Sequence, residues 1–349
     1  MMKKRISTIA IGFCLVIIPV LFVMTPVLAA DKVIELTVND HNPAPSNIAK
    51  AFDSWGQWVE EKSNGKLKMT IIHGGALLKG NETFRGVQGG IADLGHYVID
   101  RRDGMELNTV TALPFLGMPK QRQSGELYWE LLGKFPEMMK EYEGLKVLAI
   151  VMMPPSHIHT TKKQVKTPAD MKGLKIFTPE FAVSESVAAM GGTPVHVDIT
   201  DMYMSLDRGL VEGVMLHYPV CFIFRALELM PYHTVFGDGG INMTPMELVM
   251  NQKRFDKLPS DLQKVILESG KVWEDKQLEG DAVIQNVAVQ FCKDENHTFT
   301  YLTPEQIDDW RKLVKEPVHD RWIKDTEAKG LPAKAVYTEL LSLIKKYSN

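Results

Sequence analysis

Thr167-Pro168-Ala169-Asp170-Met171-Lys172-Gly173-Leu174-Lys175-Ile176-Phe177, then Gly191-Gly192-Thr193-Pro194-Val195, then Tyr203-Met204-Ser205-Leu206-Asp207-Arg208-Gly209-Leu210-Val211-Glu212-Gly213-Val214 carry the pattern that decides the fold. Thr167 is an N-cap, Pro168 takes the first helical position and Asp170 answers the cap, so a short helix begins here and stops at Gly173. Residues 174–177 form a strand, and 181–190 a helix closed by Gly191-Gly192. Residues 195–197 form a second strand. Thr200 caps a further helix that Gly209 ends, and 210–216 form a third strand. Short strands alternating with helices imply a parallel sheet whose loops build one wall of a cleft.

The N-terminal half repeats the rhythm. Residues 33–38 alternate apolar and polar, and Pro43 and Pro45 force a loop after them. Ser46 caps a helix carrying Ile48, Phe52, Trp55, Trp58 and Val59 at helical spacing, ended by Ser63-Asn64-Gly65. Leu67, Met69 and Ile71 mark a strand, 82–88 a helix and 91–97 a third strand. A helical pattern over 123–141 and a strand over 144–151 lead to Pro154-Pro155, where the chain is expected to cross to a second lobe. Residues 243–251 read as a strand returning to the first. Residues 258–294 are the longest helical run, roughly 50 Å at 1.5 Å per residue, long enough to brace both lobes if no kink falls near Gly280. A short strand at 299–302, a capping box at Thr303-Pro304-Glu305-Gln306 and a final helix ending near Lys346 complete the chain. The expected division is a first lobe of 30–154 and 242–284 and a second lobe of 155–241 and 285–349.

Residues 1–29 stand apart. Lys3, Lys4 and Arg5 precede an apolar run over 9–27 and the small-residue end Val27-Leu28-Ala29-Ala30, the layout of a secretory signal peptide cleaved near Ala29. Its removal takes the formal charge from −3 to −6, which argues against nucleic acid as a partner. Cys221 and Cys292 remain, as buried free thiols or as a pair. No G-x-S-x-G, phosphate loop or H-E-x-x-H is present, so neither catalysis nor a cofactor is indicated. His157 and His159 share one strand face, but His41, His217 and Glu212 complete no metal spacing, and no metal site is expected.

Ligands of open parallel sheets sit beyond the carboxyl ends of the strands. That rule selects His41, Asn42, Asn81, Glu82 and Tyr97 from the first lobe. From the second it selects His157, Phe177, Leu216, His217 and Tyr218.

The quoted stretch, with Glu61-Lys62-Ser63-Asn64-Gly65-Lys66-Leu67, Gly89-Gly90-Ile91-Ala92-Asp93, Leu113-Pro114-Phe115 and Val249-Met250-Asn251, resembles the DctP-type periplasmic solute-binding proteins of tripartite ATP-independent periplasmic (TRAP) transporters. The resemblance covers essentially the whole mature chain. It implies an α/β, two-lobed periplasmic binding protein fold, type II-like, with hinge strands and a long helix spanning both lobes. It also implies a small organic solute enclosed as the lobes close, and the small and large integral membrane subunits of the transporter as partners. Some members form a homodimer through the C-terminal region. A ligand-presenting sensory module for a membrane receptor would have the same fold.

Two positions depart from the family pattern. The Arg that usually follows the Gly-Leu-Lys-Ile segment and pairs with a substrate carboxylate is Phe177 here, and an amide position falls on Leu216. A buried carboxylate without a paired charge is costly. An aromatic box of Phe177, Tyr97, Tyr218 and Tyr203, with Glu82 as counter-charge, would suit an amine or a flat ring. The alternative is a carboxylate ligand anchored by His157, Arg101 or Arg102.

Overall fold

The computed structural model describes residues 32–348, so the expected signal segment lies outside the described residues. Eleven strands appear in chain order: β1 (Ile34–Asn39), β2 (Leu67–Ile72), β3 (Leu94–Val98), β4 (Leu145–Met152), β5 (His157–Thr160), β6 (Lys175–Phe177), β7 (Thr193–Val195), β8 (Gly213–Leu216), β9 (Tyr232–Val235), β10 (Pro245–Asn251) and β11 (Thr298–Tyr301). They form two sheets, ordered β2-β1-β3-β10-β4 and β11-β9-β5-β8-β6-β7. In the first, β1 pairs parallel with β2 and β3, and β10 runs antiparallel between β3 and β4. In the second, β6 pairs parallel with β7 and β8, β9 pairs parallel with β11, and β5 runs antiparallel between β8 and β9. The chain thus leaves the first sheet after β4, enters the second through β5, and returns from β9 to β10. The strand inserted on each crossing is the one that opposes its neighbours.

Helix Ser260–Asp294 is unbroken through Gly280. Its buried stripe, Leu262, Ile266, Ser269, Trp273, Gln277, Asp281, Ile284, Ala288 and Cys292, repeats every three or four residues. The first part packs on Asn47–Lys62 and β4, and the last part on Tyr218–Ile223, so one rigid rod touches elements beside both sheets. Helix Pro304–Glu327 packs on Phe181–Ala189, and the final helix Ala333–Tyr347 packs back on Gln121–Lys134. There Lys346 and Tyr347 hydrogen-bond to Glu130.

Several boundaries differ from expectation for local reasons. The helix expected over 123–141 is two, Gln121–Lys134 and Pro136–Lys140, because Pro136 forces Phe135 out of helical geometry. The third strand begins at Leu94, since Gly90 adopts φ +80° as a helix cap and Ile91 is turned outward. The strand expected from 210 begins at Gly213, where a Cβ would meet the His159 carbonyl oxygen at 2.4 Å. β9 was not foreseen, because four residues opening on Pro231-Tyr232 show no alternation long enough to count. Cys221 and Cys292 are both free and buried. Among the described residues no helix is long and apolar enough to cross a membrane.

Candidate functional site

The loop after β1 is built around Asp40. Its carboxylate accepts from His73 at 2.6 Å, His96 at 2.8 Å, and the Asn42 backbone and side-chain nitrogens at 3.0 and 2.8 Å. Burial alone would push Asp40 up, but the bonds from His73 and His96 outweigh it and hold the carboxyl well below its ordinary range. His41 stacks on His96 with ring centres 4.2 Å apart. Burial lowers His41 to about 3, so the ring is neutral, and its Nδ1 has no partner among the described residues.

Opposite this loop, the turns after β6 and β7 bring Pro179, Glu180 and Asp198. Asp198 accepts from the Thr200 backbone and hydroxyl at 2.9 and 2.6 Å, and across the gap from the Asn81 amide at 3.0 Å. Lys79 meets Asp201 at 2.7 Å, Arg102 donates to the Pro179 carbonyl at 2.7 Å, and Thr244 donates to Glu180 at 3.2 Å. These bonds tie segments beside the first sheet to segments beside the second and border a cavity of about 210 Å³.

The walls mix apolar side chains, among them Ile48, Val98, Met153, Ile199, Leu216 and Met246, with an acidic set: Asp100, Asp103, Glu180, Asp198 and Asp281. Arg102 is the sole Arg or Lys lining the cavity among the described residues. Its guanidinium is already held in a fork by Asp100, at 2.8 and 2.7 Å. Burial raises Glu180 to about 8, reinforced by Asp100, and burial raises Asp281 to about 7. Among the described residues Glu180 accepts the Thr244 hydroxyl bond and feels the Arg102 charge, and Asp281 accepts the amide bonds of Gln277 and Gln121 at 3.0 and 3.3 Å. These two carboxyls face the cavity with no ion-pair partner among the described residues. Burial also lowers His217 to about 3, so it too is neutral.

The cavity lies between segments beside the two sheets and is partly open to solvent. Residues 38–325 match the family described as bacterial extracellular solute-binding protein, family 7, also called DctP. The chain belongs to this family. It is a solute-binding protein and not an enzyme, and proteins of this family work with the membrane subunits of TRAP transporters. It is 24% identical to an uncharacterized protein of Haemophilus influenzae over 92% of this chain and 94% of that one. It is also 24% identical to the 2,3-diketo-L-gulonate-binding periplasmic protein YiaO of Escherichia coli, over 63% of this chain and 67% of that one. The crystal structure of a TRAP solute binding protein from Rhodoferax ferrireducens, in complex with copurified benzoate, superposes with TM-score 0.84 at 22% identity over 90% of this chain and 98% of that one. A marine metagenome TRAP protein specific for aromatic acid ligands gives 0.83 at 24% identity over 90% of this chain and all of that one. The shared fold is the two-lobed α/β one expected.

Of the residues selected from the solute-binding protein's sequence, His41, Asn42, Asn81, Leu216 and His217 line the cavity, with Arg102 of the alternative anchors. The others lie elsewhere. Tyr97 is interior to the first lobe and donates to the buried Glu247 at 2.7 Å. Phe177 is fully buried with Met202, Leu206 and Val214, because β6 is an inner strand covered on both faces. Glu82 is exposed and caps the Lys79 amide at 2.9 Å. His157 accepts from the Phe236 amide at 3.3 Å and, with Tyr218, borders a separate opening. Tyr203 lies beside Arg225, and Arg101 bonds Glu106 and Thr326. The aromatic box is therefore not assembled, and no Phe, Tyr or Trp lines the cavity among the described residues.

The acidic set went unnamed in the sequence. Glu180 and Asp198 each sit three residues past a strand end, where the rule that chose Phe177 would have found them. Asp281 is signalled only as a charged residue on the apolar stripe of the long helix.

Proposed function

We propose that the mature protein, beginning near Ala30 after cleavage of the signal segment, captures a small organic solute bearing a cationic nitrogen between its lobes. It then delivers the solute to the small and large membrane subunits of a TRAP-type transporter. The division into lobes follows the two sheets, with the long helix and the 153–156 and 236–244 crossings as the hinge. One observation carries the ligand class: the cavity's single guanidinium is satisfied by Asp100, while Glu180 and Asp281 are buried acids awaiting a counter-charge. A cation supplies it, and a carboxylate adds to the imbalance.

A second reading has one observation in its favour. Two structural neighbours hold or are specific for aromatic acids, and the apolar walls here would accommodate a ring. In that case Arg102 must exchange Asp100 for the ligand.

The two readings differ in pH dependence. Glu180 and Asp281 are raised from 4.5 and 3.8 to about 8 and about 7. Between those limits the fold retains protons that the unfolded chain has released, so these two groups contribute stability that is lost as pH rises from about 4 to 8, while His41 and His217, lowered by burial, contribute in the opposite sense as pH rises towards 6.5. Glu141 and Glu247, each raised to about 7, add to that loss without touching the ligand. A cationic solute draws the protons off Glu180 and Asp281, so its affinity rises with pH over about 6–8 and then levels. A carboxylate solute shows the reverse trend. Thermal shift of ligand-free protein against amines, quaternary ammonium compounds and carboxylates at pH 6 and pH 8 tests this. Stabilisation by acids alone, strongest at pH 6, would sink the cationic reading.

A further inference from the structure

Three elements meet at the end of the long helix. Cys292 lies in its last turn, Asn296 reverses the chain at φ +58°, and the His297 amide donates back to the Cys292 carbonyl at 2.8 Å. The chain then enters β11, which pairs with β9 so that Phe299 lies beside His233. On the far side of β9, His159 of β5 is the direct cross-strand partner of His233. As a result the Cys292 thiol and one ring nitrogen each of His233 and His297 lie within 4.8 Å of one another. Cys292 and His233 are fully buried, while His297 is partly open to solvent.

Hydrogen-bond chemistry places the protons. Nε2 of His159 lies 3.2 Å from the Leu216 carbonyl, which can only accept, so His159 carries its proton there. Nδ1 of His159 is then an acceptor for Nδ1 of His233 at 2.8 Å. His233 is left with a lone pair on Nε2, 3.0 Å from Nδ1 of His297. A ring whose far N–H is held by a partner, with its near nitrogen free, is how proteins present a metal-ligating imidazole. The histidine on β5 that found no metal spacing in the sequence is thus the outer partner of one assembled from β9 and the helix end.

We propose that Nε2 of His233, Nδ1 of His297 and Sγ of Cys292 bind one thiophilic transition-metal ion, with Zn²⁺ the fitting species and water as fourth ligand. One thiolate and two imidazoles match borderline-to-soft divalent ions and do not suit Ca²⁺ or Mg²⁺. Coordination displaces the thiol proton, and the His297 proton moves to its other nitrogen.

The test uses untagged mature protein, stripped by chelator and titrated separately with Zn²⁺ and Co²⁺. The expected result is one ion per chain, thiolate-to-cobalt charge-transfer absorption with tetrahedral visible bands, and a melting temperature that rises with Zn²⁺. Cys292→Ser should abolish the charge-transfer band and weaken Zn²⁺ about 100-fold or more. His159→Gln, which leaves all three ligands in place, should weaken it by about 10–100-fold, and Cys221→Ser should change neither. If Cys292→Ser does not fold, as judged by circular dichroism without metal, His297→Gln in the partly exposed turn serves in its place. No stoichiometric binding, binding unchanged in these ligand variants, or a Cys221–Cys292 disulfide in the purified protein would each overturn the proposal.

Discussion

Replacing Glu180 by Gln is expected to weaken solute binding by about 2–5 kcal/mol, at least ~30-fold, because it removes the charge partner of a desolvated cation. The amide keeps the shape and the acceptor for the Thr244 hydroxyl. The ligand-free variant should be more stable than the parent at pH 8, where the parent carries a buried carboxylate held up at about 8. Loss of binding with gain of stability cannot be explained by misfolding. Isothermal titration and denaturant unfolding at pH 8 measure the two effects. If the native solute were a carboxylate, the same substitution would leave binding unchanged or strengthen it.

The second large effect lies outside the cavity. Gly270 sits on the buried stripe of the long helix, and a Cβ there would fall 2.0 Å from the Leu148 carbonyl oxygen of β4. The obstacle is backbone, so no side-chain rotation relieves it, and the helix must move off the sheet. Gly270→Ala is expected to cost about 3 kcal/mol or more. Gly280→Ala is the control in the same helix. Its Cβ meets only the end of the Ile48 side chain at 3.0 Å, and alanine's helix propensity returns up to about 1 kcal/mol. Urea midpoints of the two variants should therefore differ sharply. Because the same rod carries Asp281, solute affinity should fall with Gly270→Ala as well. Equal midpoints would mean that the helix does not bear on β4 as described.

The fold was legible where periodicity and caps agreed. Thr167-Pro168 and Thr303-Pro304 set helix starts that the structure keeps, with capping boxes at both. The long helix announced itself as the longest helical run of the chain, which the structure gives as 35 residues. β9 was hidden because a four-residue strand between turns carries too little pattern, and its place in the sheet comes from neighbours distant in sequence.

The cavity was legible in outline only. Loops at strand ends supplied His41, Asn42, Asn81, Leu216 and His217. For Phe177 and Tyr97 the rule placed the backbone at the cleft, while the side chains turned to the nearer cores. Which way a strand-end residue points depends on the packing of the strands beside it, and that is not local information. The acids at 180, 198 and 281 converge only after three separate elements fold together.

The most direct test of the central claim is mass spectrometry of the solute released when protein purified from its own cells is denatured. A bound small molecule with a basic or quaternary nitrogen is the expected result. A carboxylate lacking any basic nitrogen, carried at one per chain, would contradict the account.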